Sequence, residues 1–168
     1  SLNPEGTAGG VRAYIEHGMH NEPQPVKMYY LSPIFRYDRP QKGRYREHYQ
    51  FGVEVFGAGE PSADAEVISL AHSVLTGVGI KKLSLQINSV GCPECRAVYN
   101  EALKGYLKDR MGDMCGTCRE RFDRNPLRIL DCKVAGCRAI VKDAPKMLDY
   151  LCDECRDHFI GVQTYLNA

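Results

Sequence analysis

The chain reads as an α+β protein whose second half is helical and rich in cysteine, and three observations carry that reading. Two runs of aromatic and branched residues, at 27–37 and 49–56, flank a short basic segment. Apolar residues return at helical spacing from Pro61 and again from Pro93. Eight cysteines stand in close pairs, all beyond residue 90. With 168 residues, 43% of them hydrophobic and 26% charged, the chain is large enough to bury a core and lacks the composition of a disordered or fibrous protein. The 22 basic and 21 acidic residues leave a net charge of +1, so any anionic partner must be met by a local patch. No apolar run approaches the ~20 residues of a membrane span, and the first residues lack the layout of a signal peptide, so a cytoplasmic protein without membrane contact is expected. The start at Ser1, directly into a dense motif, reads as a piece of a longer protein.

In chain order, Pro4-Glu5-Gly6-Thr7 precedes a helix expected to run through His17, with Thr7 as its N-cap. Lys27 to Tyr37 (KMYYLSPIFRY) is a strand, and Tyr49 to Phe56 (YQFGVEVF) sets Tyr49, Phe51, Val53 and Val55 at period two. The two form one antiparallel hairpin around the loop 38–48. Alternation puts Gln50, Gly52 and Glu54 together on the opposite face, a polar surface that something must cover. Pro61 and Ser62 open a helix with Val67, Leu70, Ala71, Val74 and Leu75 on one stripe, ended by Gly77 and Gly79. Lys82 to Ser89 alternates Leu83, Leu85 and Ile87 with polar residues and predicts a half-buried strand. A helix over Pro93–Arg110 follows, with Tyr99, Leu103, Tyr106 and Leu107 in one stripe, then shorter helices near 116–124 and 139–166. The organisation expected is an α+β core over 1–90 and a helical cysteine-rich segment over 91–168.

Arg36, Arg39, Lys42, Arg44 and Arg46 put five cations within eleven residues, opposed by Asp38 alone. A solvated basic loop is the plain reading. A clamp for polyphosphate or nucleic acid is the functional one, because arginine forks match phosphate oxygens. Arg36 ends an aromatic strand whose partner presents Gln50 and Glu54, and this combination suits a ligand carrying phosphate and a protonated amine. Glu5 is a second candidate carboxylate for such an amine. His48 and His72 read as surface residues.

The cysteine pairs are Cys92/Cys95, Cys115/Cys118, Cys132/Cys137 and Cys152/Cys155. Without an export signal, and with three of them C-x-x-C, they favour metal ligation over disulfides, an iron-sulfur cluster or free buried thiols. Two structural zinc ions, each in a closed Cys₄ site, are expected. A helix over 93–110 would span about 27 Å, holding Cys92/Cys95 too far from Cys115/Cys118 to share an ion. Cys115/Cys118 and Cys132/Cys137 bracket a short helix and a turn at Asn125-Pro126, and so form one site. Cys92/Cys95 and Cys152/Cys155 are left for the other.

The residues PEGTAG (4–9) and FRYDRPQKGRYREHYQFGVEVFG (35–57) closely resemble the class II aminoacyl-tRNA synthetases, specifically the histidyl-tRNA synthetase family, with the second stretch similar to its motif 2. NPLRILD (125–131) and APKMLDYL (144–151) resemble the segment that follows. The resemblance implies an antiparallel sheet of the class II type. It implies that Arg36 is catalytic, holding the ATP α-phosphate and the substrate carboxylate. Glu5, Thr7, Gln50 and Glu54 fall where the family binds histidine, chiefly its α-amino group, and Arg39, Arg44 and Tyr45 where it meets ATP and the tRNA acceptor end. ATP with Mg²⁺, histidine and tRNA(His) are the substrates implied, in a homodimer of the full-length enzyme. Asp38 and Asn3 stand where the family usually has Glu and Arg. Motif 1, motif 3, the histidine-specific segment and the anticodon-binding domain have no counterpart here, so this piece alone is expected to be nearly inert. Two alternatives remain at this level. One is the catalytically dead regulatory paralogue of ATP phosphoribosyltransferase; the other is a zinc-ribbon module that binds nucleic acid.

Overall fold

The computed structural model describes residues 2–168. It comprises two compact units, Ser1–Ile80 and Lys81–Ala168.

The first unit is built on an antiparallel hairpin of β1 (Val26–Phe35) and β2 (Glu47–Phe56). Helix α1 (Thr7–Glu16) precedes it and helix α2 (Pro61–Gly77) follows. The register pairs Tyr30 with Gly52, Ser32 with Gln50 and Met28 with Glu54, so these six residues share one face. That face is the covered one, and α1 covers it with a stripe of every fourth residue. Gly6 meets the Tyr30 ring, Gly10 lies over Glu54, where an added Cβ would be 3.6 Å from Cγ, and Tyr14 stacks on Phe56 at 4.4 Å. Small residues at the first two positions let the helix approach the sheet closely. The opposite, more apolar face is open: Tyr29 is 77% exposed, Tyr49 71% and Phe51 49%. The alternation read from the sequence is therefore correct, and the face carrying Gln50 and Glu54 is the covered one, with Ile34 of β1 fully buried on it. In α2 only Ala65 is buried, and Lys27 reaches Glu66 at 2.6 Å, an exposed pair worth little.

Three expectations change. The N-cap of α1 is Gly6, with Thr7 the first helical residue, because the Glu5 carboxylate instead accepts from the Ala8 N–H at 3.0 and 3.2 Å. Lys82 to Ser89 forms no strand: among the described residues the only sheet is β1-β2. Alternation marks a capacity to pair, but a strand exists only where another edge completes its ladder. The region 139–166 is interrupted, with α6 (Ala135–Val141), a 3₁₀ turn at Met147–Tyr150 and α7 (Asp153–Leu166). Pro145 and the Cys152 helix start account for the breaks.

The second unit also contains α3 (Pro93–Lys108), α4 (Gly116–Arg124) and the short α5 (Leu127–Leu130). Cys95, Tyr99, Leu103 and Leu107, four residues apart, are the buried stripe of α3 and the spine of the core. Tyr99 donates to Pro145 O and Tyr106 to Ile140 O, both at 2.9 Å, pinning the irregular 140–145 connection to this helix. Cys118, Cys137, Met114 and Ile129 belong to the same core. Much of the interior is thus thiol.

Candidate functional site

Two constellations carry chemistry, one in each unit. In the first, the backbone before α1 is strapped to the end of β1. Phe35 N–H donates to Asn3 O at 2.8 Å, and Arg36 Nε donates to Pro4 O at 2.9 Å. This places the Glu5–Thr7 turn beside the strand end that carries Arg36 and leaves the terminal guanidinium nitrogens available as a fork. The ladder continues through Arg36 N–H to Arg46 O at 2.8 Å, and Gln41 and Arg44 exchange backbone bonds around Lys42-Gly43. The loop is therefore an extension of the hairpin, closed by a tight turn. Arg46 stacks over Tyr37 at 4.7 Å and donates to Asp38 O. Arg39, Arg44 and Tyr45 are exposed, and no ion pair engages the loop cations among the described residues.

The floor of this site is Gln50, Gly52 and Glu54. Tyr30 is the residue that sequence reading does not single out. Its ring fills the space above Gly52 and against Gly6, and its hydroxyl lies 3.5 Å from Glu54 Oε1. A tyrosine cross-strand from a glycine would have been the signal, but the register needed to see it is not local. Gln50 Oε1 is buried with no hydrogen-bond partner among the described residues, an acceptor in want of a donor. A half-buried face with the Glu54 carboxylate and an orphan amide oxygen, with Glu5 in the helix start that covers it and Arg36 at its end, can take a ligand bearing an ammonium and an anionic group. Thr7, next to Glu5, is exposed. Since Tyr30 occupies the volume of a Cβ at position 52, Gly52→Ala should displace the ring. We expect about 1–3 kcal/mol of destabilisation, read as lost amide-exchange protection across the β1-β2 ladder. Unchanged protection would show that the ring is not wedged there.

The second constellation is the cysteines. Cys92, Cys95, Cys152 and Cys155 form one cluster and Cys115, Cys118, Cys132 and Cys137 the other, with all Sγ atoms of a cluster within 4.8 Å of one another. One device builds both. Cys92, Cys115 and Cys152 are the N-caps of α3, α4 and α7, and the second cysteine of each of the four pairs is the third residue of a helix, α6 included. Two helix starts meet at each cluster. They exchange an equivalent bond, Cys152 N–H to Cys95 Sγ at 3.1 Å and Cys115 N–H to Cys137 Sγ at 3.3 Å. The Cys152 N–H holds the Cys95 thiol down at about 7, and the Cys118 N–H does the same for Cys115. Gly91 brings the chain into the first cluster at φ +62°, and a Cβ there would lie 2.6 Å from both Cys95 Cβ and Met147 Cε. A tetrahedron with Zn–S bonds of ~2.3 Å has S···S edges of about 3.8 Å. The 3.4 Å between Cys92 and Cys95 and the 3.9 Å between Cys115 and Cys132 fit a single ion of that size. An iron-sulfide cubane would hold the thiolates farther apart.

Comparison with known proteins bears on the first constellation and on the chain as a whole. A family model described as histidyl-tRNA synthetase matches residues 1–102. Proteins named histidine–tRNA ligase from Clostridium botulinum and Caldanaerobacter subterraneus are 56% and 54% identical over the whole chain, which spans 40% of their length. The crystal structure of apo S. aureus histidyl-tRNA synthetase is similar at a TM-score of 0.72 and 39% identity, covering 98% of this chain and 38% of that one. A Bacillus halodurans structure described as an ATP phosphoribosyltransferase regulatory subunit/histidyl-tRNA synthetase shares the fold at a TM-score of 0.58, 17% identity and 98% coverage of this chain, 46% of that one.

Proposed function

Because the chain belongs to the histidyl-tRNA synthetase family, we propose that it is the motif 2 region, with a cysteine-bearing helical unit, of a histidine–tRNA ligase. In this reading the full-length enzyme activates histidine with ATP and transfers it to tRNA(His). The observation that supports it most directly is the covered strand face on which Gln50 and Glu54 lie, overlaid by the Glu5–Thr7 helix start and ended by Arg36.

On that face the carboxylates of Glu54 and Glu5 and the orphan Oε1 of Gln50 accept from the α-ammonium of histidine, with Thr7 beside them. The arginine fork holds the α-phosphate and the histidine carboxylate together. That carboxylate attacks the α-phosphorus, a P–O bond to histidine forms, and the bond to the β-phosphate breaks with pyrophosphate leaving. Mg²⁺, arriving with ATP, supplies further charge neutralisation when bound. Positioning and charge stabilisation are what such a transfer needs from the protein. Arg39, Arg44 and Tyr45, on the exposed hairpin extension, are assigned to ATP and the tRNA acceptor end. An intact basic loop favours the ligase over a regulatory paralogue, which has no need of an ATP-facing and tRNA-facing surface.

Zinc is assigned to both cysteine clusters as a structural ion, since four thiolates leave no open position for substrate. We read the full-length enzyme as a cytoplasmic homodimer, the dimer following from its class II relatives. Eight free cysteines suit a reducing compartment, and among the described residues no helix is long and apolar enough to cross a membrane.

In the full-length enzyme Arg36→Lys keeps the charge and loses the fork. Histidine-dependent pyrophosphate exchange is expected to fall on the order of 10²-fold. Arg44→Ala should raise the KM for ATP or tRNA more than that for histidine. Exchange by Arg36→Lys at the parental rate would remove the phosphate clamp from this reading.

A further inference from the structure

The two cysteine clusters are built alike but are surrounded differently. In the inner cluster Cys118 and Cys137 are 0% and 1% exposed, Cys115 and Cys132 are half-buried, and Met114 and Ile129 are buried in the same core. In the outer cluster only Cys95 is buried, Cys92 and Cys155 are half-buried, and Cys152 reaches the surface. Charge differs in the same direction. Four thiolates around one divalent ion leave a net charge of −2, which neighbouring cations stabilise and neighbouring carboxylates oppose. Within three residues of the inner ligands, over 112–121 and 129–140, the chain carries four Lys or Arg against three Asp or Glu. Around the outer cluster, over 92–98 and 149–158, the balance is two against five, with Glu94, Asp153, Glu154 and Asp157 next to the ligands in sequence. Arg156, which pairs with Asp153 at 2.9 Å, offsets one of these. Helix α7 buries one side chain, Val162, with Cys155 and Phe159 part-buried against the core.

We propose that the chain holds two zinc ions of unequal lability: a retained ion at Cys115, Cys118, Cys132 and Cys137, and an exchangeable ion at Cys92, Cys95, Cys152 and Cys155 that latches the start of α7 to the start of α3. This rests on the zinc assignment above and adds to it an order of release. Loss of the outer ion frees α7 and leaves the inner thiol core closed, so zinc availability sets whether the helical unit has its last helix docked.

The test uses the zinc-loaded 168-residue chain and a chromogenic chelator. Release is expected in two phases of one ion each, the first at least about tenfold faster. Alkylation during the first phase should label Cys92, Cys95, Cys152 and Cys155 ahead of the other four, while amide exchange rises in α7 and stays slow in α4. Asp153→Asn with Glu154→Gln should slow the first phase without altering the second. Release of both ions in one phase, or first labelling of the inner four, would overturn the unequal lability while leaving the zinc assignment standing. A fast phase with no change in α7 would overturn the latch. A chain that takes up no zinc would sink the assignment itself.

Discussion

In the full-length enzyme Glu54→Gln is expected to abolish most histidine activation, lowering kcat/KM for histidine by about 2–4 kcal/mol, roughly 30- to 1000-fold. The substitution keeps the side-chain volume, so the Tyr30 hydroxyl 3.5 Å away and the close approach of Gly10 are both preserved. What it removes is the charge. The α-ammonium of histidine then faces an amide where a carboxylate stood, on a half-buried face where solvent compensates poorly. Gln50→Ala, which takes away the orphan acceptor, should give a smaller loss in the same assay, and the KM for ATP should move less than that for histidine in both variants. If Glu54→Gln and Gln50→Ala both supported parental pyrophosphate exchange while remaining folded, the histidine site would have to lie elsewhere.

Complete removal of zinc from the 168-residue chain should unfold the unit Lys81–Ala168. Binding free energies of structural zinc, about 10–16 kcal/mol per ion, equal or exceed the ~5–15 kcal/mol stability of a typical domain. This unit has little to set against such a loss, because Cys95, Cys118 and Cys137 are themselves core residues, packed with Tyr99, Leu103, Leu107, Met114, Ile129, Met147 and Leu151. Four unligated thiols per cluster would leave that core without cross-links, since four helix starts converge on the two clusters. Helical circular dichroism should fall and amide protection in α3 to α6 should collapse, while the β1-β2 ladder, which belongs to the other unit, keeps at least part of its protection. A metal-free chain that retained full helical signal and slow exchange in α3 would show the thiol core to be self-sufficient.

Within the first unit, the strand pair, its loop and the shared face of Gln50, Gly52 and Glu54 were all legible from alternation. The resemblance of residues 35–57 to motif 2 pointed to the same positions. Tyr30 was not legible, because its role depends on lying opposite Gly52, and an antiparallel register is chosen by the whole hairpin and its covering helix. Glu5 shows the same limit on a smaller scale. Thr7 has the better N-cap chemistry, yet the turn held by Asn3 O and Pro4 O puts the Glu5 carboxylate on the Ala8 N–H first.

The division between what the chain order decides and what packing decides follows the range of the forces involved. Helical period, strand alternation and the stiffness of a helix between Cys95 and Cys115 act over neighbouring residues, and they were enough to sort eight cysteines into the two clusters that the structure brings together. Which element covers the polar face of the hairpin could not be settled that way: Gly6, Gly10 and Tyr14 lie over it, and Tyr29, Tyr49 and Phe51 are on the open face. Nor could the alternating segment 82–89 be denied a strand from its own residues, although among the described residues the only sheet is β1-β2. Cover, register and edge pairing are comparisons among contacts distant in sequence, each worth about 1 kcal/mol, and their sum is known only once the chain has closed on itself.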